Sequence, residues 1–219
     1  MKLTWDALGE HFYETGVDHG VLYPMAADGL TYAKGVAWNG LTGVTESPSG
    51  GEPSPIYADN IKYLNLLSAD EFGATIEAYT YPDEFAECQG EAQVAAGVTI
   101  GAQKRKAFGF SFRSIIGNDT KMNDYGYKLH LVYNAMATAP ERSYTSVNDS
   151  PEAMTFSWTI TTTPVEVGGN YRPLAHIVID STKVDASKLA ELEESLYGSA
   201  NGDATLPTPA AVIAMFATA

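Results

Sequence analysis

Apolar and polar side chains alternate over much of residues 108–180. Phe108, Phe110 and Phe112 are followed by Tyr127, Leu129, Leu131 and Tyr133, then by Met154, Phe156, Trp158 and Ile160, and finally by Ala175, Ile177 and Ile179. Gly109, Ser111, Arg113, Lys128, His130, Asn134, His176, Asp180 and a run of Ser and Thr fill most of the places between. A period of two is that of β-strands with one buried face. Upstream, residues 21–25 and 30–44 read as early strands, the second interrupted by Asn39-Gly40, a turn or a bulge. Residues 75–81 are rich in β-branched and aromatic side chains and read as another strand, whereas residues 59–68 fit strand and helix equally.

Helices are few. Pro82-Asp83-Glu84 opens a short helix that ends before Gly90, as proline and acids do in a first turn. Asp185 is placed to cap a second, whose Leu189, Leu192 and Leu196 form one stripe and whose stop is Gly198. Residues 1–20 are polar, acidic and irregular, an N-terminal arm. Residues 45–55 hold three prolines, two glycines and no apolar side chain, so they cannot join a packed core and read as a projecting loop. Residues 117–126 read as a long hairpin loop. The expected organisation is a mainly β single domain over residues 1–198 and a C-terminal extension over 199–219. The apolar end of that extension, residues 210–216, must pack either on its own domain or on a neighbour.

The chain has 219 residues, enough to bury a core as one unit. Its apolar runs are shorter than the roughly 20 residues a membrane helix needs, and its start has no apolar secretory region. No membrane partner and no export by that route are expected. Cys88 stands alone, which fits a reducing compartment and a buried, inert thiol. The net charge is −14, concentrated in residues 1–100, which hold three Lys or Arg against fifteen Asp or Glu. Sequence-independent DNA binding is therefore disfavoured.

Catalytic chemistry finds no foothold. His11, His19, His130 and His176 include no pair at helical zinc-protease spacing, and no cysteine partners them, so no metal site is expected. Asp119, Asn123 and Asp124 lack the order of a calcium loop and read as turn residues. Neither a nucleophile elbow nor an S-x-x-K setting occurs, and fifteen glutamates make a chance pair such as Glu77 with Glu87 uninformative. Lys104-Arg105-Lys106 reads as a solvated strand entrance. Trp5, Trp38, Tyr79 and Tyr81 are available for stacking on a sugar or at an interface, so a carbohydrate-binding β-sandwich module stays open as an alternative.

Three stretches carry a family resemblance: Gly35-Val36-Ala37-Trp38-Asn39-Gly40-Leu41-Thr42-Gly43-Val44-Thr45-Glu46; Ala78-Tyr79-Thr80-Tyr81-Pro82-Asp83-Glu84-Phe85 with Cys88; and Ser157-Trp158-Thr159-Ile160-Thr161-Thr162-Thr163-Pro164. Over most of residues 16–198 the chain resembles the major tail tube proteins of long, non-contractile-tailed bacteriophages, especially those of Gram-positive hosts. The resemblance implies a β-sandwich of tail-tube type with a flanking helix, assembled in the host cytoplasm into hexameric rings. The rings stack as the virion tail, a hollow conduit for DNA ejection. Implied partners are other copies of the chain, tail tip, tape-measure and tail terminator proteins, and passing double-stranded DNA held without specific binding. No cofactor is implied. Stacking in similar proteins implies an inter-ring role for the loop Glu46, Ser47, Pro48, Ser49, Gly50, Gly51, Glu52 and Pro53. The polar side of the paired strands, Ser111, Arg113, Lys128, His130 and Asn134, is the candidate lumen face, with Glu77 as its acidic alternative.

Overall fold

The computed structural model describes residues 3–147, 149–150, 152–200 and 202–217; the outermost residues of the expected N-terminal arm and C-terminal extension lie outside the described residues. The first long strand, β1 (Phe12–Pro24), is followed by β2 (Val36–Trp38) and β3 (Leu41–Glu46). A ribbon comes next: β4 (Ser49–Gly50) and β5 (Pro53–Ala58) run out, then β6 (Ile61–Leu67) and β7 (Asp70–Glu71) run back into β8 (Gly73–Ala78). A 3-10 turn at Asp83–Phe85 leads into α1 (Ala86–Gln89), then a short hairpin of β9 (Ala92–Ala95) and β10 (Val98–Ile100). The long pair β11 (Phe108–Asn118) and β12 (Met122–Ala137) precedes β13 (Phe156–Thr162) and β14 (His176–Asp180), and α2 (Ala186–Tyr197) and α3 (Pro209–Phe216) close the order.

Eight strands form one antiparallel sheet in the order β2-β1-β11-β12-β13-β8-β3, with β14 also on β12. The fork lies within β12, whose residues 128–132 pair with β14 and whose residues 135–137 pair with β13. Between them Asn134 has φ 47° and the pairing with β11 slips, a bulge that bends the strand and lets it serve two layers. The far strand β3 folds back to approach β1.

Register decides where the cores sit. Phe110 lies opposite Val132, while Ser111 lies opposite Leu131 and Arg113 opposite Leu129. The phenylalanines of β11 and the Leu/Tyr row of β12 therefore point to opposite sides of the same sheet. On one side Phe108, Phe110, Trp38, Trp158, Ile76 and Phe85 form a core between the layers. On the other, Leu129, Leu131, Tyr133 and Tyr23 meet Leu189, Leu192 and Leu196 of α2 and Val212 of α3. This corrects the expectation of one buried face. Alternation within a strand cannot reveal the phase between strands, and here opposite phases bury both.

The helices form where their signals lie. The Asp185 carboxylate accepts hydrogen bonds from the backbone N–H groups of Ser187 and Lys188, and α1 stops at Gly90 with φ 86°. The apolar C-terminal segment folds as α3 onto the chain's own second core. Three expectations fail. Residues 1–20 are not irregular throughout: β1 starts at Phe12, its period hidden by bulges at Gly16 (φ 66°) and His19 (φ 51°). The loop at 117–126 contracts to a turn in which Asn118 Oδ1 accepts from the N–H groups of Thr120 and Lys121. Residues 30–34 contribute only an isolated bridge, Met25 to Tyr32.

Candidate assembly surfaces and a buried polar cluster

The stretch expected as a projecting loop is the root of a longer β-ribbon. Glu46 ends β3, Ser47 donates its N–H to Gly73 O at 2.8 Å, and Ser49 and Gly50 pair with Glu71 and Asp70. Gly51 donates its N–H to Ser68 Oγ, while Pro53 already sits opposite Leu67 in the outer ladder. Gly50 has φ 82° and a Cβ there would lie 2.3 Å from Ala69 O, so glycine is required at this point. The tip is Asp59-Asn60, both with positive φ, a two-residue turn suited to strand twist. At about 3.3 Å per residue the ribbon reaches at most about 40 Å from the sheet.

Both faces of this ribbon are apolar and open to solvent. Tyr57, Ile61, Tyr63, Leu66 and Leu67 are each more than half exposed, and Ile56 and Leu64 only slightly less. A lone two-stranded ribbon is marginal in water, and so much contiguous apolar surface marks a contact site.

The candidate lumen residues do not share a face. Ser111 is fully buried, its hydroxyl 3.2 Å from the Tyr23 hydroxyl beneath α2, and cannot line an opening. Arg113, on the same side, makes a two-pronged pair with Asp18 (Nε to Oδ1 2.9 Å, a terminal nitrogen to Oδ2 3.1 Å) and lies over the Tyr127 ring. Lys128 and His130 project to the opposite side, where Lys128 pairs with Glu14. Asn134 sits at the bulge, its N–H donating to the Tyr32 hydroxyl. Glu77 alone stands on an open polar surface, the outer face of β3, β8 and β13. There Glu77 lies opposite both Ser157 and Gly43, while Thr45, Thr75 and Thr159 align in the next row.

Two candidates given separate roles meet inside the fold. Glu46 of β3, His130 of β12 and His176 of β14 converge where the first core ends. His130 Nδ1 lies 3.2 Å from His176 Nε2 and 3.4 Å from Glu46 Oε1, and His176 Nε2 lies 3.8 Å from the same oxygen. His130 Nε2 contacts Ser114 Oγ at 3.0 Å, its ring stacks on Phe112, and His176 packs against Phe72. Burial pushes both imidazoles down to about 4, so they are neutral at pH 7. Burial, then the nearby Glu14 charge, raises the Glu46 carboxyl. Spacing along the chain had no means of finding this cluster, because its members come from three strands.

Other candidates are absorbed by structure. Asp119 accepts from the Gly9 N–H and contacts His11 Nδ1 at 2.9 Å, and Asn123 accepts from the Tyr13 hydroxyl, so these turn residues also fasten the N-terminal segment. Trp38, expected as a stacking surface, is buried, its indole N–H donating to Thr80 O at 2.9 Å. Tyr81 packs edge-on against Phe156 and Trp158, while Trp5 and Tyr79 are exposed. Cys88 is buried, its thiol pushed up to about 12 by that burial.

No family model matches the chain, and no curated protein matches it. Among solved structures, a chain of the anti-feeding prophage (AFP) baseplate aligns at 8% identity over 83% of this chain and 100% of that one, with a TM-score of 0.35. A chain of the PVC sheath-tube complex in its extended state, an extracellular contractile injection system, aligns at 12% identity over 74% of this chain and 88% of that one, with a TM-score of 0.32. Likenesses at this level are too low to assign a shared fold or role.

Proposed function

We propose that this chain is a structural virion protein, the subunit of a tail tube, whose copies close into hexameric rings and stack into a hollow conduit for DNA ejection. The observation that carries the reading is the ribbon of β5 and β6, apolar on both faces and left uncovered by the described residues. A second copy is the economical cover, since every subunit of a stack both supplies a ribbon and offers a surface to receive one. Strands bordering the sheet, β14 among them, are then paired or covered by neighbours around a ring.

The conduit wall in this reading is the Ser/Thr face around Glu77. It bears no Lys or Arg among the paired positions of β3, β8 and β13, so it offers passing double-stranded DNA nothing to grip. Six copies carry six times −14, or −84, per ring. Screening over about 8–10 Å restricts the effect to charges near the wall. Tail tip, tape-measure and tail terminator proteins are the proposed partners at and within the tube, with assembly in the host cytoplasm and no catalysis or cofactor.

The test replaces residues 52–68 by a short Gly/Ser turn. The expected outcome is an unchanged circular dichroism core signal and loss of rings and polymers on gel filtration, because no ribbon side chain belongs to either core. Polymers of full length from the shortened chain would refute the ribbon's role. A full-length chain that stays monomeric and is retained on a glycan column would favour a carbohydrate-binding module instead.

A further inference from the structure

We propose that Glu46, His130 and His176 form a binding site for one zinc-class divalent metal ion, fastening the root of the ribbon to the sheet. The three donor atoms, His130 Nδ1, His176 Nε2 and Glu46 Oε1, form a triangle with edges of 3.2, 3.4 and 3.8 Å. A tetrahedral ion with ligands at about 2.0–2.1 Å requires donors about 3.3–3.4 Å apart. The point equidistant from the three atoms lies about 2.0 Å from each, so the ion fits once the two imidazole rings, parallel to within 12°, tilt to aim both nitrogen lone pairs at it and the carboxylate makes small adjustments. Glu46, the half-exposed member, has the freedom to make them, and its side marks the open direction from which water completes the coordination.

The surroundings match what metal-ligating histidines need. Ser114 Oγ, 3.0 Å from His130 Nε2, is placed to accept its proton in the tautomer that a metal on Nδ1 requires. Phe112 stacked at 4.4 Å and Phe72 at 4.3 Å hold the two rings and exclude water from their backs. Two imidazoles and one carboxylate select zinc-like ions over magnesium or calcium, which prefer all-oxygen shells. The bound ion would tie β3, from which the ribbon departs, to β12 and β14 in the other layer. None of this depends on where the ribbon docks.

The test is titration of the chelator-treated full chain with Zn²⁺ by calorimetry, alongside visible spectra with Co²⁺. One ion per chain is expected, with the intense cobalt bands of a low-coordinate nitrogen/oxygen site. Glu46→Gln and His176→Gln should each weaken zinc about tenfold or more. His11→Gln, which removes the surface histidine beside Asp119 and Asp6, should leave it unchanged. The proposal is overturned by an absence of saturable binding, by affinity indifferent to both site variants, or by equal loss in His11→Gln. Should the site variants lose their circular dichroism, the wild-type cobalt spectrum decides: weak six-coordinate bands or none would overturn it.

Discussion

Single side chains in this molecule take their roles from register more than from type. Ser111 and Arg113 share a polar signature in the sequence, yet one lies sealed beneath a helix and the other anchors the bulged part of β1 through Asp18. Burial works to raise the Asp18 carboxyl, but hydrogen bonds and charge from Arg113 and His19 outweigh it and hold it below its ordinary value of 3.8. A depressed carboxyl stabilises the fold above its unfolded pKa and loses that contribution as pH falls through the folded value. Thermal midpoints should therefore drop as pH is lowered below about 4, and Asp18→Asn should be less stable at pH 7 but show a shallower acid decline. A slope unchanged by the substitution would remove the pair from the acid response. The same dependence on register hid the Glu46, His130 and His176 cluster, since nothing in the local spacing of any one of them points to the others.

At the level of elements, much was legible. Asp185, the leucine stripe and Gly198 bound α2 closely, and proline, acids and Gly90 bracket the 3-10 turn with α1, because each signal acts on backbone within a few residues. The ribbon was legible in part: prolines and glycines marked residues 45–55 as outside the core, but Asp59-Asn60 went unread as a hairpin tip. Its flanking strands bury neither face, so no alternation announced them. The C-terminal segment posed a choice that packing resolves, with Leu206 and Val212 nearly fully buried and the Gly35 N–H donating to Ala204 O at 2.8 Å. Ending the chain at residue 202 should lower unfolding free energy in urea, at about 1.5–3 kcal/mol for each large side chain removed from the core. Unaltered stability combined with altered assembly would return the segment to a neighbouring subunit.

The whole molecule divides its labour between a closed interior and an unfinished exterior. Two cores lie on either side of one forked sheet, α1 contributing to the first and α2 and α3 covering the second. The exposed ribbon, the bordering strands and the cation-free face around Glu77 lie outside those cores, and the proposed repeating array would give each of them a partner. Opposite apolar phases in adjacent strands bury both faces of the sheet and keep the ribbon out of either core. The most direct measurement is negative-stain imaging of the purified full-length chain at increasing concentration. Six-membered rings and stacked hollow tubes are the expected result, and a population of single, well-ordered particles at every concentration would contradict the account.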